Sequence, residues 1–331
     1  MSTDILGAAG AGSGRIGRYF TVVSALPAAV FVVYIYLLIR TGALSGSVNW
    51  HAAVAVNLAD VAVLGVASFL IALTMNPLQF ALIQLFEGYW GTSAPAEHLA
   101  VSRVAYHRHR KRHLYKSGRT AEDVPRQTRV PTAKLRDQIR RDESLHAYSS
   151  YPDQERDILP TRLGNVLRHY ETSIGRQYGL DLLTVVPRLA MVGGEREIAY
   201  VTNQRIQLEL ALRTSLLALI AAPVTIGFMW RHGPWLLLAL VPYAIAYLAY
   251  RGAVAVAHEY GASLAVLVDL GRFTLYRRVG LGDPRSIDEE RQHNRDLMRL
   301  FRAEINMDPV VYRSATEPGP ADPAATEEVA P

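Results

Sequence analysis

The chain has 331 residues, half of them hydrophobic, and a net charge of +5. That length holds a membrane helix bundle and one modest polar domain. There is no cysteine, which excludes disulfides, thiolate nucleophiles and cysteine-ligated metals.

Residues 1–15 are rich in Gly, Ala and Ser and are expected to be disordered. Residues 16–90 read as a first pair of transmembrane helices with an interfacial extension. Span one covers about Ile16–Ile39; its apolar run from Phe20 is preceded by Arg15 and Arg18 and carries Pro27 inside it. It ends at Arg40 without a small-residue cleavage site, so it reads as a retained anchor and not a cleaved signal. Span two begins near Ala52, and its apolar run continues to Phe86. A helix needs only about 20 residues to cross the hydrocarbon. The Asn76-Pro77 step is therefore expected to break it, with Leu78, Leu82, Leu85 and Phe86 on a kinked or interfacial helix. Glu87-Gly88-Tyr89-Trp90-Gly91 then reads as an aromatic interface anchor.

Residues 91–150 read as a basic polar linker. From Arg103 to Arg141 there are thirteen Lys or Arg against three acids, Glu122, Asp123 and Asp137. Pro125 and Pro131 add breakers. Such a segment gains about 1 kcal/mol per cation near an anionic leaflet. Arg108, Arg110, Lys111 and Arg112 are its candidate lipid-surface residues, and a solvated, topology-setting loop is the plainer reading. His107, His109 and His113, with His98, have spacing that a metal could use. Interleaved cations and the lack of an adjacent carboxylate argue against it, so no metal site is assigned. Nucleic-acid binding is not expected, because charge alone supports it.

Residues 151–207 read as a small helical domain. Thr161 is a candidate N-cap, Leu163, Val166, Leu167 and Tyr170 follow at helical spacing, and Gly175 is a candidate stop. Pro187 argues against an uninterrupted helix over Leu180–Val192. Arg162, Arg168, Arg176 and Arg188, with Glu171 and Asp181, are candidates for a structural ion network or an anion pocket. Residues 208–250 hold a second helix pair joined by Arg231-His232-Gly233-Pro234. Residues 251–314 read as an amphipathic surface segment, because His258, Glu259 and Asp269 argue against a fifth span. Arg251 and His258 share a face there, read as a polar stripe. Residues 315–331, rich in Pro, Ala and Glu, are expected to form a disordered acidic tail.

Asn57, Asp60 and Arg213 are the intramembrane polar candidates, each falling within an apolar run. Asp60 is a functional candidate by its position, or a helix cap. Arg213 lies where it could snorkel. No Asp60–Arg213 pair is expected, since the two lie at opposite faces.

The segments Arg162-Leu163-Gly164-Asn165-Val166-Leu167-Arg168, Tyr178-Gly179-Leu180-Asp181 and Pro187-Arg188-Leu189 form a distinctive series. They are followed by Tyr260-Gly261 and Asp269-Leu270-Gly271-Arg272-Phe273. Over about residues 159–276 the chain resembles a group of uncharacterised bacterial four-span membrane proteins. The resemblance implies four membrane helices and a cytosolic helical insert, and no activity.

The fold expected is thus an all-α integral membrane protein: four transmembrane helices in two pairs with a cytosolic, mainly helical insert. Basic-residue bias places both termini and the insert in the cytoplasm, at the plasma membrane. The leading functional expectation is a scaffold or signalling protein that binds an anionic leaflet and a protein partner, with no catalytic residue and no cofactor. Self-association is compatible with it. The alternatives are a small transporter using Asp60, or a membrane-interface enzyme using the insert arginines with His258 or Asp269.

Overall fold

A computed structural model of the chain describes residues 25–44, 46, 48–119 and 132–302. Arg15, Arg18, Pro125, Pro131 and the segments expected to be disordered at both ends lie outside those residues. The described residues are all-helical, with no strand among them.

Eleven α-helices follow one another among the described residues: α1 Leu26–Arg40, α2 Trp50–Val54, α3 Leu58–Met75, α4 Gln79–Glu87, α5 Ala94–Arg119, α6 Thr132–Ser149, α7 Arg162–Tyr178, α8 Leu182–Val192, α9 Glu195–Met229, α10 Leu240–Arg278 and α11 Ile287–Phe301. Among the described residues three stretches are long and apolar enough to cross a membrane: Leu58–Met75, Glu195–Met229 and Gly233–Arg278. Helix α1 is equally apolar but has only 15 residues. At 1.5 Å per residue, α3 is about 27 Å long, close to the ~30 Å hydrocarbon thickness. Leu58, Val61, Val63, Val66, Phe69, Leu70 and Leu73 on α3 are all more than half exposed. An apolar surface of that extent fits a lipid environment.

The chain forms two compact units, residues 1–170 with 200–263, and residues 171–199 with 264–331. In the first, α1 packs on α2 and α3. Tyr34 donates a hydrogen bond of 2.7 Å to Thr225 of α9, and Ser215 of α9 donates one of 3.0 Å to the Ala246 carbonyl of α10. Leu38, Ala43 and Met229 are buried together, and Trp50 meets Trp235 at 5.0 Å nearby. A second core joins Leu82 of α4, Leu163 and Val166 of α7, Leu208 and Leu212 of α9, and Ala253 and Ala257 of α10.

Asp60 acts as a cap. Asn57 Oδ1 accepts from Asp60 N at 2.8 Å, and Asp60 Oδ2 accepts from Asn57 N at 3.0 Å, a reciprocal capping box at the start of α3. The Arg40 guanidinium lies 3.9 Å from the same carboxylate. At its far end α3 stops at Met75, and α4 begins after Asn76-Pro77.

Three sequence expectations are corrected. The linker over 91–150 is largely helical, as α5 and α6, which pack on each other. Residues 96–117 contain neither Gly nor Pro and are dominated by good helix formers. The break expected at Arg251 is absent, because α10 runs unbroken to Arg278. No proline occurs between Pro242 and Pro284, and Ala253, Ala257, Leu264 and Leu267 keep one side buried. Helix α9 likewise begins at Glu195 and not near 208.

In the second unit, α7 continues past Gly175 to Tyr178 and ends at Gly179, whose φ of 74° is left-handed. Pro187 is accommodated inside α8. Tyr178 donates to Asp269 at 2.6 Å, while Arg272 and Tyr276 both donate to Glu290 of α11, at 2.8 and 3.0 Å. Burial, and then the Asp269 hydrogen bond, push the Tyr178 phenol up to about 12.

Candidate functional site

The RLGN segment positions the site, and each of its four residues has a separate task. Thr161 caps α7, its Oγ1 accepting from Gly164 N at 2.9 Å, and donates to the Glu87 carbonyl at the end of α4 at 3.0 Å. Leu163 is fully buried in the α4–α9–α10 core. Gly164 faces the Glu87 carbonyl so closely that a Cβ would collide with it. Asn165, also buried, latches the preceding loop. Its amide donates to the Leu159 and Thr161 carbonyls at 2.8 and 2.6 Å, and its Oδ1 accepts from Leu159 N at 2.9 Å. With its neighbours fixed in this way, Arg162 is left facing a cavity.

Helix α5 supplies a second wall. Its inward stripe is polar: His107 is 0% exposed and Lys111 is 6% exposed. A His107 ring nitrogen lies 2.9 Å from the Tyr151 hydroxyl, and the Lys111 ammonium donates to the Pro152 and Asp153 carbonyls at 2.6 and 2.7 Å. Tyr115 continues the stripe against Tyr148 of α6, ring centroids 5.6 Å apart. Burial, followed by repulsion from Arg103, Arg110 and Arg162, lowers His107 to about 4. Burial also raises the Tyr151 phenol.

Between these elements lies a cavity of about 280 Å³ in the first unit. Its charged walls are Arg110 from α5, Glu143 from α6, Arg162 from α7 and Arg251 from α10. None of these four is in an ion pair among the described residues. His146, Ser150, Tyr151, Tyr250 and His258 add further donors and acceptors. His258 Nε2 lies 3.1 Å from the Ser150 hydroxyl, and its ring meets His146 at 5.8 Å. The Tyr170 ring stands edge-on to His258 at 6.0 Å. Gly261 makes room for that ring, because a Cβ there would strike it.

The structure separates the residues the sequence grouped. Arg162 lines the cavity, in company with Arg110 and Arg251. Arg168 lies on the same helix, partly buried. Arg176 donates to the Thr172 carbonyl of its own helix at 3.2 Å. Arg188 donates to the Thr184 carbonyl at 2.6 Å and stacks on Phe301 at 4.0 Å. Asp181 pairs with Arg302 at 2.7 Å, outside the arginine set predicted for it. Among the basic residues assigned to the lipid surface, Lys111 is corrected to a buried tether. Arg112 binds Glu155 at 2.7 Å, which holds that carboxyl below its usual range, and Arg108 donates to the Glu155 carbonyl at 3.3 Å.

Arg213 is corrected as well. It does not snorkel but is 1% exposed, donating to Gln79 Oε1 at 2.8 Å and reaching Asn76 Oδ1 at 3.4 Å. It therefore ties α9 to the α3–α4 break. Four residues away, Glu209 is equally buried and binds Arg205 at 2.8 Å. Among the described residues no three His, Asp or Glu converge as a metal set. No family model, curated protein or solved structure matches this chain.

Sequence reasoning missed Arg110 and Arg251 as partners of Arg162. The available signal was the seven-residue spacing of Arg251 and His258, which put both on the face of α10 that lines the cavity.

Proposed function

We propose that this is a four-span membrane protein that holds an anionic headgroup at the bilayer surface. One observation carries the reading: three guanidiniums on three different helices line one cavity with no carboxylate paired to them. Surface arginines ordinarily find carboxylate partners or open water. A cavity that keeps three of them together favours an anion in their place. The location agrees, because the apolar run of the last span ends at Tyr250 and the cavity lines the next two turns.

The fourth crossing in this reading is α1, whose 15 residues are as apolar as a span requires. The crossings then run in two pairs, and the polar helices between them face the cytoplasm of the plasma membrane by the positive-inside rule. The same topology is the one implied by the resemblance to four-span bacterial proteins. A transport role through Asp60 is not favoured, since its carboxylate is engaged by the Asn57 amide of its own cap and lies beside Arg40 at the end of α1. A scaffold or signalling role, with a protein partner or a second copy, is the context in which a headgroup-dependent polar domain is useful.

The test is co-purification. The full-length protein is extracted in neutral detergent, and bound lipid is counted by native mass spectrometry. Anionic lipid retained by the wild type and lost from an Arg162→Gln/Arg251→Gln double variant supports the reading. Equal retention by both refutes it.

A further inference from the structure

The charge and donor content of the cavity select among anions. Arg110, Arg162 and Arg251 against Glu143 leave an excess of two positive charges at neutral pH. We infer that the cavity is built for a phosphomonoester, a phosphate carrying one organic substituent, in preference to a phosphodiester. This rests on the anion-binding reading proposed above and specifies its ligand class.

A phosphomonoester carries about −1.5 to −2 charges at pH 7 and three terminal oxygens that accept strongly. It can neutralise the excess, whereas a diester carries one charge and leaves one guanidinium uncompensated. The donor count points the same way. Each guanidinium offers five N–H groups in a planar fork suited to two oxygens at once. Three forks line one cavity from α5, α7 and α10, as many as the terminal oxygens of a monoester, while a diester presents only two. The hydroxyls of Ser150 and Tyr250 complete a polar lining around them.

Size is a third constraint. At about 280 Å³ the cavity falls just below the ~300–1,000 Å³ typical of sites for drug-sized ligands. A single phosphate with the first carbons of its alcohol fits that volume. A diester must place a second substituent in or at the mouth of the same small space, whose lining includes Val166, Val254 and the buried Asn165. The position one turn beyond the apolar run of α10 favours a monoester whose alcohol is a membrane lipid, although a soluble phosphomonoester shares the chemistry.

The full-length protein in nanodiscs tests this. Discs contain either a phosphatidic-acid lipid, the monoester, or a phosphatidylglycerol lipid, the diester, in amounts adjusted to equal surface charge. Lipid bound per protein is read after exchange into neutral detergent. The expected result is a preference of about tenfold for the monoester, the size of one charge-assisted hydrogen bond. Arg251→Gln, at an exposed position, should remove the preference, and Arg108→Gln, outside the cavity, should keep it. Glu143→Gln takes away the opposing carboxylate and should tighten monoester binding without disturbing a buried contact.

Equal binding of both lipids overturns the inference while leaving the anion site standing. Failure to bind either lipid overturns both. A preference that follows Arg108 and not Arg251 also overturns it, since the cavity is then not the origin. Glycerol 3-phosphate added as competitor separates the sources. Displacement of bound lipid supports the monoester with a soluble ligand, and no displacement at millimolar excess supports the monoester held as a lipid.

Discussion

Acid should destabilise this protein through one buried histidine, and the size of the effect follows from its surroundings. His107 is fully buried and held neutral, its pKa lowered to about 4 by burial first and then by Arg103, Arg110 and Arg162. In the unfolded chain the same group titrates near 6.5. Its folded pKa is depressed, so the unfolded state takes up the proton first as pH falls. The stability this neutral ring contributes is therefore complete above about pH 6.5 and is lost between there and about pH 4. The linkage relation gives a loss of about 2 kcal/mol at pH 5 and about 3 kcal/mol at pH 4. The assay is denaturant unfolding in neutral detergent, followed by tryptophan fluorescence across that pH range. His107→Phe keeps a ring of similar shape and removes the titration. Its stability at pH 7 should be lower, because the Tyr151 hydroxyl loses its partner, but its stability should fall less steeply with acid. Identical slopes for wild type and variant refute the reasoning. A ligand adds a second check: an anion on Arg110 and Arg162 cancels part of the repulsion at His107, so saturating phosphomonoester should make the wild-type slope shallower.

Gly164→Ala places a methyl group on the Glu87 carbonyl, a backbone atom that cannot rotate away, and should cost about 1–3 kcal/mol by overpacking. Because α7 carries Arg162, lipid retention should fall along with chemical stability in the same preparation. Lys111→Met leaves the Pro152 and Asp153 carbonyls without their donor and should cost about 1.5–3 kcal/mol in denaturant unfolding. Unchanged stability, with lipid binding weakened, would instead restore Lys111 to the lipid surface. Arg213→Met takes the guanidinium donor away from the Gln79 and Asn76 side-chain oxygens at the α9–α4 junction and should lower stability by about 1–3 kcal/mol. If Arg213 does snorkel to lipid, melting of that variant will not differ from wild type.

The apolar runs were legible because hydropathy is a property of consecutive residues. The apolar part of α9 and the break at Asn76-Pro77 follow from composition and from the missing proline donor, but α3 begins at Leu58 and not near Ala52, with the short α2 before it. Asp60 was read as either a functional group or a cap, and its reciprocal partnership with Asn57, three residues earlier, was not read, because the helix start was placed near Ala52. Helix α5 was not legible as a packed element, because periodicity methods look for apolar stripes. Its buried residues are His107 and Lys111, spaced by four, and both count as polar. The continuity of α10 was obscured by the opposite error. His258 and Glu259 were weighed as charges against a span, whereas the absence of any proline from 243 to 283 is the stronger local signal.

The cavity shows where such reading stops. Spacing assigns a residue to a face of its own helix but does not say which other face it meets. Arg162 and Arg168 share a helix and a motif, so the sequence groups them. Arg110 and Arg251 lie 52 and 89 residues from Arg162 and have no sequence relation to it. They meet it because Gly164 allows α7 to reach the end of α4 and Asn165 fixes the loop that precedes it. Gly261 performs a similar service on α10 by admitting the Tyr170 ring beside His258. The small and polar residues of the motif are thus the ones that assemble the site, while its charges come from elements far away in the chain. For this protein the arginines name the ligand chemistry, and the glycines and Asn165 decide which arginines take part.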